Sequence, residues 1–240
     1  MPPKATGKSR SRRVSAKEML VIFSELRNGS LQKADLSRLD LTGLDLAGIN
    51  LCSANMTRVV LADADLRLAR FDGAVLKSAD FTSARLERAS FKYAQINKAS
   101  FRHAKMQHAC FRMAQMTGVD LIQAVLFEAD LECAILDQAV LDMADLQKAH
   151  MPGIQARMAK LQGANLRGAN LSQAKLREAD LAGANLAKAN LYDADLSSSN
   201  LSGANLCGAR MEEARLDDAK LEGAQWDKTT EWPLGFGPPR

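Results

Sequence analysis

From Leu31 to Trp226 a large apolar residue returns at every fifth position without a change of phase. Of the 40 positions in that series, 39 hold Leu, Phe, Met, Ile or Trp, and Ala156 is the exception. Two residues earlier in each unit, from Ala34 to Ala224, alanine occupies 32 of 39 positions. A period of five fits neither ordinary element. Five residues of α-helix turn through about 500°, a net ~140°, so the series would spiral over every side. In a flat strand the side chains alternate, and an odd period would send successive Leu residues to opposite faces. The chain must therefore bend once per unit so that each Leu points at a common axis. The expected fold is an all-β solenoid.

A second pattern sets the number of sides. Phe71, Phe81, Phe91, Phe101 and Phe111 occupy every second unit. With four units per coil, residues twenty apart stack, which places Phe71, Phe91 and Phe111 in one column and Phe81 and Phe101 in another on the opposite wall. Three units per coil would scatter them over all walls. Four sides predict about ten coils and, at the ~4.8 Å spacing of paired strands, a rod about 45–50 Å long.

Units such as Ala169, Asn170, Leu171, Ser172, Gln173 resemble the A(D/N)LXX motif of the pentapeptide-repeat proteins, a resemblance covering roughly residues 30–226. It implies a right-handed quadrilateral β-helix with Leu or Phe inside and the small residue beside it. By physical role, each inward residue contributes ~2 kcal/mol of burial, and Ala fills the space against the next wall. Asp or Asn after the Ala, as at Asp35, Asn55, Asn165, Asn190 and Asn205, suits a corner because its side chain bonds nearby backbone.

The ends differ in composition. Residues 1–14 read as a disordered basic leader carrying Lys4, Lys8, Arg10, Arg12 and Arg13, a candidate contact for an anionic partner. Ser15 with Glu18 forms a capping box, Met19, Ile22, Phe23 and Leu26 share a face, and Gly29 stops the pattern, so a short cap helix is expected over 15–28. The rod proper is expected over 29–227. Residues 228–240, together with Trp226, read as a cover in which Trp232 and Phe236 close the far end. No apolar run is long enough to span a membrane, and Cys52, Cys110, Cys133 and Cys207 show no paired spacing, so a reduced, cytoplasmic setting is expected.

Chemistry is sparse. His103, His108 and His150 are the three histidines, and no nucleophile–base–orienter set, Gly-rich phosphate loop or His/Cys metal spacing is visible. No enzyme activity, metal or cofactor is expected. The net charge is +4, but residues 1–29 hold seven cations against Glu18 and Glu25, and residues 30–240 carry a net −1. Within the rod the charge is banded: residues 83–117 and 148–177 are basic, while 118–147 hold seven acids and no Lys or Arg. In that acidic belt Val125, Ile135 and Val140 replace the usual Asp or Asn, and Ile122, Phe127 and Met143 take outward positions. With Glu128 and Glu132 they form the candidate partner-binding patch. The cassette Met151–Ala156 puts Ile154 in the small position and Ala156 in the large one, and Pro152 predicts a local bulge or bend.

A non-catalytic interaction scaffold, a rigid rod offering flat walls to a protein partner or to a second copy of itself, is the reading these features favour. The resemblance also implies an alternative, since well-characterised members mimic DNA and bind gyrase or topoisomerase IV. That role needs a broadly acidic surface, and this rod is nearly neutral. Nucleic-acid binding through the basic leader and bands is the second alternative.

Overall fold

The computed structural model describes residues 12–13 and 30–238. Each unit pairs through one central residue with the unit twenty residues further on, in parallel, from Ser30 with Asn50 to Asn205 with Gln225. Five-residue units and a twenty-residue register make a four-sided coil. The register lengthens by one only at the end, where Arg210 pairs with Glu231. Among the described residues, no helix is long and apolar enough to cross a membrane.

One unit accounts for all of its backbone donors. In Leu51–Asn55, the amides of Leu51 and Ser53 donate upward to Arg70 O at 2.7 Å and Asp72 O at 2.9 Å, and the amide of Asn55 donates downward to Ala34 O at 2.9 Å. The amide of Ala54 closes a turn onto Leu51 O at 3.2 Å. The fifth donor, Cys52 N–H, is taken by Asn50 Oδ1 at 3.1 Å. That bond explains the preference for Asp or Asn: the corner carboxamide or carboxylate accepts the one amide that neither ladder nor turn can use.

The bend itself lies two residues after the inward Leu. All 39 such positions from Lys33 to Gly223 have a left-handed backbone, with φ of 53–62° where a side chain is present and 63–71° where glycine stands. A type II turn requires this at its third residue. Since 28 of these positions are not glycine, each bearing a penalty of about 1 kcal/mol, the conformation is imposed by the ladder on either side rather than chosen by local preference.

The core follows the inward series. Its residues from Leu31 to Leu221 are all buried, and the alanines two residues earlier fill the space between walls. Phe71, Phe91 and Phe111 stack at 4.6 and 4.8 Å, Phe81 and Phe101 at 4.6 Å, and the two columns meet edge to face at 5.7–6.1 Å. The two-column arrangement argued from the sequence is therefore present, and edge-to-face contact across the axis suits the ring quadrupoles. At the C-terminal end Trp226 lies edge-on to Trp232 at 5.7 Å, Trp232 stacks on Phe236 at 5.2 Å, and all three pack on the core.

Two expectations need correction. Pro152 causes no bulge. The ladder passes straight through, with Cys133 N–H on Pro152 O at 3.0 Å and Gly153 N–H on Ser172 O at 2.8 Å. The reason is positional: proline occupies the site whose amide is outside the ladder, and Pro-Gly is a favoured pair for the centre of a type II turn. Second, Arg12 and Arg13 are not free of the fold. Strand β1 (Arg12–Arg13) pairs in parallel with β2 (Leu39–Asp40) and adds a rung to the open edge of the first coil. Lys4, Lys8, Arg10 and the expected helix over 15–28 lie outside the described residues. At the Ile154–Ala156 exchange both residues are buried, and an apolar void of ≈ 10 Å³, about the space of one water, remains beside them, Leu136, Met151 and Leu161.

Candidate functional site

The twenty-residue register turns sequence bands into vertical columns, and this decides what the exterior can do. Cations of the basic band stand one coil below acids of the acidic belt. Arg102 reaches Asp120 at 2.9 Å, and Arg112 reaches Glu132 at 2.7 Å and Asp130 at 3.6 Å. From the other side Lys148 reaches Glu128 at 3.3 Å. Each pair is half-exposed and contributes ~0–1 kcal/mol, but together they cancel the belt's field locally.

The belt's aspartates also serve the backbone. Asp120, Asp130 and Asp145 cap the amides of Ile122, Glu132 and Gln147. Asp137 and Asp142 do something the sequence did not reveal: each caps an amide one coil on, those of Arg157 and Gln162, both at 2.9 Å. Those two units carry Gln155 and Lys160 at the corner, with no carboxylate of their own. Asp72 supplies Lys92 N–H in the same way at 3.1 Å. The corner carboxylates lowered from their ordinary values include Asp35, held by the backbone and hydroxyl of Ser37, and Asp65, held by the Arg67 side chain.

The candidate patch is divided over walls. Ile122 and Met143 share one wall on adjacent coils, Met143 exposed at 62% and Ile122 half-buried. Phe127 lies on the next wall, half-buried, between His108 edge-on at 6.0 Å and the Lys148 ammonium at 5.3 Å. Glu128 neighbours Phe127, whereas Glu132 lies on the wall opposite Met143. A row the sequence reading missed runs along that opposite wall's corner: Tyr93, Met113 and Cys133, twenty residues apart, exposed by 62% and 53% for the first two. All three are third-turn residues, and their left-handed backbone throws the side chain outward. Reading positions at intervals of twenty would have found the row.

Beside this row Asp130, Glu132 and His150 bring three ligand-type atoms within 4.8 Å of one another. Linear spacing hid the grouping because His150 belongs to the next coil. Cys110 lies just below, its Sγ 3.8 Å from Asp130 Oδ2, and burial pushes its thiol pKa up.

The sequence pattern described as "Pentapeptide repeats" matches the chain in eight copies, over residues 24–58, 54–92, 84–123, 159–191 and 189–225. No match is found among curated proteins. Among solved structures, HetL from the cyanobacterium Nostoc sp. strain PCC 7120, a pentapeptide repeat protein involved in heterocyst differentiation regulation, is similar at 29% identity over 88% of this chain and 94% of its own, with a TM-score of 0.71. The pentapeptide repeat protein alr5209 of Nostoc PCC 7120 is 36% identical over 41% of this chain and 77% of its own, TM-score 0.24. QnrB1, a plasmid-mediated fluoroquinolone resistance protein, is 17% identical over 83% and 88%, TM-score 0.35.

Proposed function

This chain belongs to the pentapeptide-repeat family, and from that premise and its exterior we propose that it is a non-catalytic interaction scaffold, a rigid rod of about ten coils that holds a protein partner against its walls. The observation that supports this best is the exposed row Tyr93–Met113–Cys133, three side chains in line along one wall. Exposed aromatic and Met side chains in a line, bordered by charged pairs, are the composition of an interface centre with a polar rim. Ile122 and Met143 offer a second apolar area on the opposite wall, with Glu128 and Phe127 between the two walls. The likeness to HetL, a regulatory protein by its description, agrees with a role exerted through binding. Four free thiols, Cys52, Cys110, Cys133 and Cys207, agree with a reduced, cytoplasmic setting.

DNA mimicry has weaker support, because the belt carboxylates are spent on backbone amides and on Arg102, Arg112 and Lys148. Affinity capture from the native host with wild-type chain and a Tyr93→Ser, Met113→Ser variant tests the proposal. Wild type retains a stoichiometric partner and the variant loses it at unchanged circular dichroism. Capture that survives this variant and also Met143→Ser, or potent inhibition of gyrase supercoiling by the wild type, overturns it.

A further inference from the structure

We propose that Asp130, Glu132 and His150 form a surface site for a divalent transition-metal ion of the zinc class, with Arg112 as the internal cation that holds the site when no metal is bound. The proposal does not rest on the scaffold reading.

The donors are of the right kind and already converge. Asp130 Oδ1 accepts from Glu132 N–H at 3.1 Å, and Oδ2, which accepts from the Cys110 thiol at 3.8 Å and faces Arg112 at 3.6 Å, is the oxygen a metal would take from them. Glu132 Oε2 lies 3.7 Å from His150 Nε2, close to the separation of two ligands that share a tetrahedral ion at ~2.0–2.2 Å. Two carboxylates with one imidazole suit a borderline ion, whereas a calcium site needs six to eight oxygens and a magnesium site an oxygen octahedron. The three residues are half-buried or exposed, so a fourth position stays open to water.

The backbone supplies rigidity. Asp130 and Glu132 flank the inward Leu131, and His150 is bridged to Asp130 in the parallel register, so all three side chains issue from adjacent rungs of one wall. Arg112 stands on the same wall one coil below, its guanidinium 2.7 Å from Glu132 Oε2 and 3.6 Å from Asp130 Oδ2. A cation is therefore already demanded at this point. A flexible side chain half-exposed to water can swing away and let a divalent ion, which carries twice its charge, take the same oxygens.

Competition between Arg112 and metal gives a signature that no purely structural salt bridge shares. Chelator-treated full-length chain is titrated with zinc chloride by calorimetry at pH 7.5, with magnesium and calcium chloride as controls. The expected result is one zinc per chain, with no heat from the controls. His150→Ala and Glu132→Gln each weaken binding at least about tenfold, as loss of a ligand should. Arg112→Gln strengthens it, because the competing cation is gone. All three positions are half-exposed, and circular dichroism confirms that the variants fold. Absence of zinc binding, or zinc binding that is indifferent to His150→Ala and Glu132→Gln, overturns the proposal, as does an Arg112→Gln variant that binds zinc no more tightly than wild type.

Discussion

The units from Leu161 to Leu206 and those from Leu121 to Lys160 have the same backbone and different corners. In the later stretch Asn165, Asn170, Asn185, Asn190, Asn200 and Asn205 each cap an amide two residues on. Several also donate down the column, Asn185 to Asn165 and Asn190 to Asn170 at 3.2 Å. In the earlier stretch Val125, Ile135 and Val140 can do neither, Asp137 and Asp142 cap across coils, and Ile154 and Ala156 exchange places. The twenty-residue register runs through both without interruption. The comparison teaches that the inward series and the left-handed turn carry the fold, while the corner residue adjusts its stability.

If that division is right, a buried charge should be equally ruinous in both regions. Leu136 and Leu186 are both fully buried, and Leu136→Asp or Leu186→Asp should each cost several kcal/mol, enough to unfold neighbouring coils. Soluble yield and far-ultraviolet dichroism check this, with Lys188→Asp as the outward control that stays folded. Tolerance of Leu136→Asp alone would show the irregular stretch to be held by something other than its core.

The exchanged cassette offers a second, smaller break. Ile154→Ala leaves two alanines facing the void beside Ala156 and should cost about 3 kcal/mol in urea unfolding. Adding Ala156→Leu should recover most of the loss, because it restores the arrangement of the regular units. Failure of that rescue would mean the stretch has repacked around its own exchange.

Corner chemistry should act at about 1 kcal/mol. Asn185→Ala removes the cap on Ala187 N–H and the bond to Asn165, and should destabilise by about 1–2 kcal/mol. Ser199 stands where the regular units have alanine, fully buried and with no partner for its hydroxyl. Ser199→Ala should therefore stabilise by about 1 kcal/mol. Thermal unfolding of the pair checks both signs.

The smallest expected effect separates aspartate from asparagine corners. The carboxyls of Asp35 and Asp65 titrate below their ordinary values, so their contribution is complete above the unfolded carboxylate pKa of about 3.9 and is lost as pH falls through the lower folded values. Asparagine corners do not titrate. Amide exchange on acidification below about pH 4 should accelerate first at Ser37 and Arg67, and Ala187 should be unaffected. Asp65→Asn should remove the response at Arg67 while leaving that at Ser37.

The five-residue period by itself determined the bending, the common axis and the inward series, because no regular element can keep an unbroken odd period on one side. The alternation of phenylalanines determined four sides for a related reason: with five-residue units, only four per coil stack rings twenty apart and set rings ten apart on opposite walls. Aromatic closure at Trp226, Trp232 and Phe236 was also legible, since large rings after the last unit have one apolar surface to cover. What lay beyond the sequence were relations between residues about twenty apart that need the coil to exist first. The capping of Arg157 by Asp137 and the meeting of Asp130 and Glu132 with His150 are of this kind. The harmlessness of Pro152 belongs with them, because it depends on which amide each turn leaves out of the ladder. Local chemistry follows the chain order, but hydrogen bonds and charges act through space, and in this rod the nearest neighbour in space is usually one coil away.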